Sequence, residues 1–289
     1  MARSAVGRVI FLLSGCGVLV FIAILNSKFS NAKSRIMQGK VVIVTGASSG
    51  IGRAAAQLFA TRGATVVGVG RNEKELSALA KKVKSAKGSI KPHLADVTEL
   101  SQLERIVTET VHNHGQIDVL VNSAGVIKNG TIETTTLDDW DKMMQINLRS
   151  VYLLMQKCVP HLVKTKGNIV NLSSVAGPRA FPNVLAYCVS KAAVDQLTRC
   201  SALELGAQGI RVNAVNPGVV VTNIHKRGGM EDEAYEKFLE HSKSTHPIGR
   251  VGQPEEVAEL ICYLASDKAG WITGATYEID GGRGQTCAR

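Results

Sequence analysis

Tyr187 and Lys191 stand four residues apart in the run Tyr187-Cys188-Val189-Ser190-Lys191, inside a stretch whose pattern reads as helix. Residues at i and i+4 share one helix face. A phenol beside an ammonium group has its ionised form favoured. Its pKa then falls from about 10 toward a range useful for acid–base chemistry. Alone the pair is a weak signal, because Tyr and Lys meet at this spacing in many helices.

A second constellation lies near the start of the chain. Thr45-Gly46-Ala47-Ser48-Ser49-Gly50-Ile51-Gly52 joins a continuous apolar run, residues 40–45, to a helix expected over about 50–62. Glycines at such a junction allow a tight turn. They also let backbone N–H groups approach a pyrophosphate at the helix N-terminus. The spacing is G-x-x-x-G-x-G rather than the commoner G-x-G-x-x-G. A structural turn would explain the glycines alone, but their place after a buried first strand favours nucleotide binding.

These residues need a scaffold. Strands are expected at 40–45, 65–69, 90–94, 117–121, 168–172, 211–215 and 276–279. Helices are expected at about 50–62, 73–84, 100–114, 138–163, 184–206, 231–241 and 255–266. Strands alternating with helices imply an α/β fold. We expect a single doubly wound Rossmann-type domain, with a seven-stranded parallel sheet and helices on both faces. Residues 39–289 would form it, with no repeat and no second domain; residues 1–38 would be a hydrophobic segment and linker.

The glycine run, Asn122-Ser123-Ala124-Gly125, Ser174, Tyr187-x-x-x-Lys191 and Pro217-Gly218 follow one another in order. Together they resemble the short-chain dehydrogenase/reductase family, and its 3-oxoacyl-carrier-protein reductase-like members in particular. The resemblance runs from about Gly39 to Gly282. It implies a nicotinamide dinucleotide over the C-terminal strand ends, with Tyr187 giving or taking the proton of a carbonyl/alcohol pair. By the same resemblance Lys191 lowers the Tyr pKa and holds the nicotinamide ribose. Ser174, thirteen residues before the Tyr, polarises the carbonyl, and Asn147 positions a relay water. The implied cofactor contacts are Thr45, Gly46, Ser48, Ser49, Gly50, Ile51, Gly52, Asn122, Ala124, Gly125, Tyr187, Lys191, Pro217 and Gly218. Asp96 and Val97 would meet the adenine, and Thr222 the carboxamide. The family's usual Asn-Asn-Ala-Gly is here Asn-Ser-Ala-Gly, a departure at Ser123 that bears on the local sheet edge. The second strand ends in Val69-Gly70-Arg71-Asn72, without the acid that holds an adenosine ribose diol in NAD sites. Arg71 suits a 2′-phosphate instead, so NADP(H) is preferred, with NAD(H) possible.

The 289 residues carry a net charge of +10. That charge is uneven. Arg3, Arg8, Lys28, Lys33, Arg35 and Lys40 face no acid in the first 40 residues, and the rest of the chain has 28 basic against 24 acidic residues. Basic residues do not cluster with aromatics, so no nucleic-acid partner is expected. None of the six cysteines forms a C-x-x-C pair or stands at zinc spacing with a His, so no metal is expected.

Val9–Leu25 is an uncharged, mostly apolar run at the short end of the roughly 17–25 residues of a membrane span. A signal anchor in the endoplasmic reticulum is the first reading. A cleaved signal peptide and a mitochondrial presequence are the others, so the protein could instead be secreted or mitochondrial. Asn129-Gly130-Thr131 is a glycosylation acceptor if lumenal; Asn171-Leu172-Ser173 also matches, but in a strand expected to be buried.

The expected function is NADP(H)-dependent reduction of a lipophilic ketone, aldehyde or 3-oxoacyl group by a homodimer or homotetramer. Residues 219–248 would shape the substrate pocket. An alcohol or hydroxysteroid dehydrogenase, and a membrane-tethered cofactor-binding protein without turnover, are the alternatives.

Overall fold

The computed structural model describes residues 36–286. The apolar run Val9–Leu25, and with it the expected membrane segment, lies outside the described residues. Among the described residues no helix is long and apolar enough to cross a membrane.

The strands are β1 (Val41–Thr45), β2 (Thr65–Gly70), β3 (Ser89–Leu94), β4 (Val119–Asn122), β5 (Asn168–Leu172), β6 (Arg211–Pro217) and β7 (Thr276–Ile279). They form one sheet in the order β3-β2-β1-β4-β5-β6-β7, and every neighbouring pair is parallel. β1 and β4 are buried throughout, as VVIVT and VLVN. A strand covered on both faces has no need of a polar alternation.

The main helices are α1 (Gly50–Thr61), α2 (Glu73–Lys82), α3 (Leu100–His114), α4 (Leu137–Met144), α5 (Ser150–Thr165) and α6 (Leu185–Gly206). After β6 come α7 (Ile224–Arg227), α8 (Asp232–Thr245) and α9 (Pro254–Ala265). On one face of the sheet Phe59, Leu76, Val257 and Ile261 close a core. On the other, Leu103, Ile106, Leu154 and Leu162 close a second. Each such side chain contributes roughly 1.5–3 kcal/mol by leaving water.

Three expectations about elements need correction. The helix expected over 138–163 is not continuous. Between α4 and α5 the chain makes a π-helical turn, Gln145–Arg149, which carries Asn147. The expected strand 117–121 begins at Val119, because the Asp118 carboxylate and backbone instead receive and give hydrogen bonds at Val41. The segment after β6 holds an unexpected one-turn helix, α7, and α8 runs on to Thr245.

Sequence-adjacent strands turn outward in opposite directions from β1 and β4. The crevice between their C-terminal ends is the switch point at which doubly wound sheets bind ligands.

Candidate active site

A cleft of about 610 Å³ opens at that switch point. Its floor is the turn between β1 and α1. Gly46 has φ +69°, and a Cβ there would lie 2.9 Å from the Ser123 carbonyl oxygen. At Gly52 a Cβ would stand 2.5 Å from the Gly46 carbonyl oxygen, so no larger residue fits the turn. The first turn of α1 has no acidic side chain, and Ser49 at its N-cap makes no side-chain capping bond. Contrast α2, where Asn72 caps the helix and Glu73 and Glu75 fill its first turn. The open N–H groups of α1 therefore face the cleft as an anion site, and the residues fit a dinucleotide phosphate.

Of the cofactor contacts expected from the sequence, Gly46, Ser48, Ser49, Gly50, Ile51, Gly52, Arg71, Asp96, Val97, Ala124, Gly125 and Thr222 line this cleft. Thr45, Asn122, Tyr187, Lys191, Pro217 and Gly218 do not. The buried Thr45 hydroxyl accepts from the N–H groups of Ser123 and Ala124, both at 3.0 Å. Asn122 donates to Asn171 Oδ1 at 2.8 Å and joins β4 to β5. Both residues therefore shape the cleft from behind rather than touch its contents. Gly218 is packed against Asp280 and His246, where a Cβ would meet backbone at 2.9 Å. Asn171 is wholly buried, so the second glycosylation match is closed to modification.

Arg71 ion-pairs with Asp96 at 3.3 Å across the ends of β2 and β3. Burial alone would raise the Asp96 pKa. Hydrogen bonds from the Thr98 N–H and hydroxyl, and the Arg71 charge, outweigh it and hold the carboxyl below its ordinary range.

None of the candidate catalytic residues Asn147, Ser174, Tyr187 and Lys191 lines this cleft itself; Lys191 and Asn147 stand against its wall at Leu172, Gly125 and Val126. The buried Lys191 ammonium donates to the Leu172 carbonyl at 2.7 Å. A Cβ on Gly125 would come within 3.7 Å of it, and both Leu172 and Gly125 line the cleft. The same ammonium lies 5.7 Å from the Tyr187 ring centroid. Ser174 is buried, accepts from the Ala176 N–H at 3.1 Å, and hydrogen-bonds with the Tyr187 hydroxyl.

The electrostatics differ from the expectation for Tyr187. Burial pushes its pKa up to about 12, and the Ser174 bond offsets only part of that. Burial likewise brings Lys191 down to about 8, against the opposing charge of Asp195. Lys191 stands nearby, but the shift of Tyr187 is set first by desolvation of the phenolate.

Asn147 is buried and fully engaged. Its Oδ1 accepts from the Val126 N–H at 2.9 Å, and its Nδ2 donates to the Val126 carbonyl at 2.9 Å and to Ser190 Oγ at 3.0 Å. The side chain thus pins the loop after β4 to the π-turn and to the Tyr/Lys helix.

Two further buried residues, Asp195 and His246, support the site. Asp195 continues the Tyr187–Lys191 spacing by one more step of four. It is buried, accepts from Asn216 Nδ2 at 2.9 Å, and its pKa is raised by burial. Gly177 leaves it room, since a Cβ there would stand within 2.9 Å of the carboxyl carbon. His246 is also buried. Its Nε2 accepts from the Val219 N–H at 3.1 Å and its Nδ1 donates to the Ser242 carbonyl at 2.6 Å, which fixes the neutral tautomer. It staples the end of α8 to the strand exit after Pro217-Gly218. Tyr235 does similar work, donating to the Thr222 carbonyl at 2.8 Å.

The fold and cleft define a doubly wound α/β domain with an anion site at its switch point, and comparison with known proteins gives the family. Residues 46–283 match the family profile described as enoyl-(acyl carrier protein) reductase. The chain is 40% identical over 247 residues to the 3-oxoacyl-(acyl-carrier-protein) reductase FabG of Thermotoga maritima, covering 85% of this chain and 98% of that one. It is 38% identical over 243 residues to the meso-2,3-butanediol dehydrogenase of Serratia marcescens, covering 84% and 94% respectively. A solved Caenorhabditis elegans short-chain dehydrogenase/reductase of unknown function, with cofactor, superposes with a TM-score of 0.83 at 39% identity. That match covers 88% of this chain and 98% of the other. The chain belongs to the short-chain dehydrogenase/reductase family. It is an oxidoreductase that binds NAD(P)(H) and acts on CH–OH or C=O groups of small molecules.

Proposed function

We propose that the protein is an NADP(H)-dependent carbonyl reductase, reversible in principle, with Tyr187 as general acid/base. The observation that carries this reading is that Lys191, grouped with Tyr187 and Ser174, donates to the Leu172 carbonyl in the wall of a cleft whose floor is an anion site. A bound nicotinamide supplies the hydride. The chain's own work is proton delivery and orientation. Ser174 holds the substrate oxygen, Tyr187 gives it a proton, and Lys191 favours the phenolate left behind. A phenol whose pKa stands at about 12 before ligands bind is a firm proton holder. In this reading it becomes an acid when Lys191 is confined as an ammonium beside it.

Preference for NADP(H) rests on Arg71 and on the absence of an acid in Val69-Gly70-Arg71-Asn72. A ketone, aldehyde or 3-oxoacyl group of lipophilic character is the proposed substrate. The reductase named among the relatives supports the 3-oxoacyl form. The butanediol and threitol dehydrogenases among them support oxidation of an alcohol as the second reading. A panel of 3-oxoacyl thioesters, lipophilic ketones and aldehydes, with NADPH or NADH loss followed optically, tests the reading. No turnover with any of them, and none of diols with NADP+ or NAD+, would sink it. We also propose that the N-terminal apolar run anchors the protein in the endoplasmic reticulum membrane. Fractionation of the full chain and of a chain beginning at Gly39 should leave only the former in the membrane pellet.

A further inference from the structure

We propose that Arg227, on the one-turn helix α7, is a second ligand for the phosphate on the adenosine ribose, so that the segment closing over the cleft also reads NADP(H). The inference rests on the cofactor reading above and adds to it a residue far away in sequence.

Arg227 lines the same cleft as Arg71, Ser48 and Ser49. Its guanidinium donates to the Ser49 hydroxyl, which bridges the short helix to the glycine turn. Arg71 stands close enough that its positive charge, after burial, helps to hold Arg227 below the usual guanidinium range. Arg71 has Asp96 as a counter-ion, but no carboxylate among the described residues forms an ion pair with Arg227. Two cations therefore line the cleft beside Ser48 and Ser49, one of them bonded to the Ser49 hydroxyl and the other paired with the single acid Asp96. An arginine fork suits phosphate oxygens. The end of β2, where Arg71 sits, is where doubly wound folds hold the adenosine ribose.

The backbone fixes this approach. A Cβ on Gly228 would stand 2.5 Å from the Ile127 carbonyl oxygen, so α7 is seated directly on the loop after β4. A Cβ on Gly50 would meet the Thr222 methyl at 3.2 Å, so the chain leaving β6 also packs onto the glycine turn. Nothing in the local sequence Ile224-His225-Lys226-Arg227 distinguishes the fourth residue from the third. The fold does: Lys226 is paired with Asp232 at 2.6 Å, and Arg227 faces the cleft.

The test is calorimetric titration of NADP+ and NAD+ into the full-length protein and its Arg227→Ala, Arg227→Lys and Arg71→Ala variants. Charge-assisted bonds to phosphate predict a rise of about ten- to hundredfold in the NADP+ dissociation constant of Arg227→Ala. The NAD+ constant should stay within about threefold, and Arg227→Lys should recover part of the loss. Equal weakening of both cofactors would overturn the proposal, since it would place Arg227 on a phosphate that both share. An unaffected Arg227→Ala variant in a protein that prefers NADP+ would overturn the role of Arg227 alone. A wild-type protein that binds NAD+ as tightly as NADP+ would overturn the cofactor reading and this inference with it.

Discussion

At the scale of single residues, the chemistry turns on how strongly each group holds its proton. Tyr187→Phe removes one oxygen and keeps the ring that fills the site. Turnover should fall by about 10²–10⁴ while the melting temperature changes little, as is usual for loss of a general acid. Near-normal turnover in that variant would end the assignment. Lys191 offers a pH test. With its pKa brought down to about 8, the ammonium is present below that value and is lost as pH rises through it. Cofactor binding that uses the ammonium should therefore weaken above about pH 8, and Lys191→Met should abolish that dependence. Asp195 supplies the charge that keeps Lys191 protonated. In Asp195→Asn the ammonium loses that support, so the decline should begin at a lower pH. Titrating cofactor affinity against pH in the three proteins checks both statements. An Asp195→Asn curve that coincides with wild type would make Asp195 a packing residue only.

Elements set the positions of these groups, and their legibility in the sequence varied for physical reasons. The strands were readable because β1 and β4 are short, buried, mostly apolar runs ended by glycine or asparagine. The glycine turn was readable because two of its residues have no alternative: a Cβ at Gly46 or Gly52 collides with backbone. The π-turn was not readable. Met144-Gln145-Ile146-Asn147-Leu148 has ordinary helix formers. Its extra residue is associated with Asn147, whose amide closes on both backbone groups of Val126, a contact 21 residues away. Nor could the sequence reveal that Tyr187 and Lys191 are shifted chiefly by burial. His246 is a further case, since its role depends on Val219 lying 27 residues back. Because burial lowers its pKa, the folded chain resists its protonation more than the unfolded chain does. Between the ordinary value near 6.5 and the lowered one, the unfolded state binds more protons, so stability falls as pH drops through that window. His246→Ala should cost about 1–3 kcal/mol by leaving the Val219 N–H without its partner. It should also flatten the acid limb of a denaturation curve measured between pH 7 and 5. An acid limb as steep as in wild type would remove His246 from the account.

At the scale of the whole molecule, one surface groove bears on assembly. The Tyr/Lys helix and the helices on either side of the π-turn enclose a groove of about 630 Å³ on the outside of the domain. It is lined by Met144, Leu148, Tyr152 and Leu197 with Asp141, Gln145 and Arg149 around them. Tyr152 on α5 is 47% exposed, and Leu203 on α6, the helix of Leu197, is 86% exposed. An apolar patch rimmed by polar groups is one mark of a surface for protein–protein contact. The homodimer or homotetramer expected from the sequence needs such a surface, and a pair of identical chains meeting there would bury both patches at once. The arrangement also has a functional consequence. The groove backs directly onto the π-turn, and through Asn147 onto Ser190 and the loop at Val126. A subunit pressed into it would hold the Tyr187 helix and the cleft wall in fixed relation. Leu148→Asp places a carboxylate in the groove without touching the cleft. The wild-type protein should sediment as a dimer or tetramer and the variant as a monomer. Its turnover should fall with assembly and return as protein concentration drives subunits together. A variant that sediments like wild type, or a wild-type monomer, would mean that the groove serves some other contact.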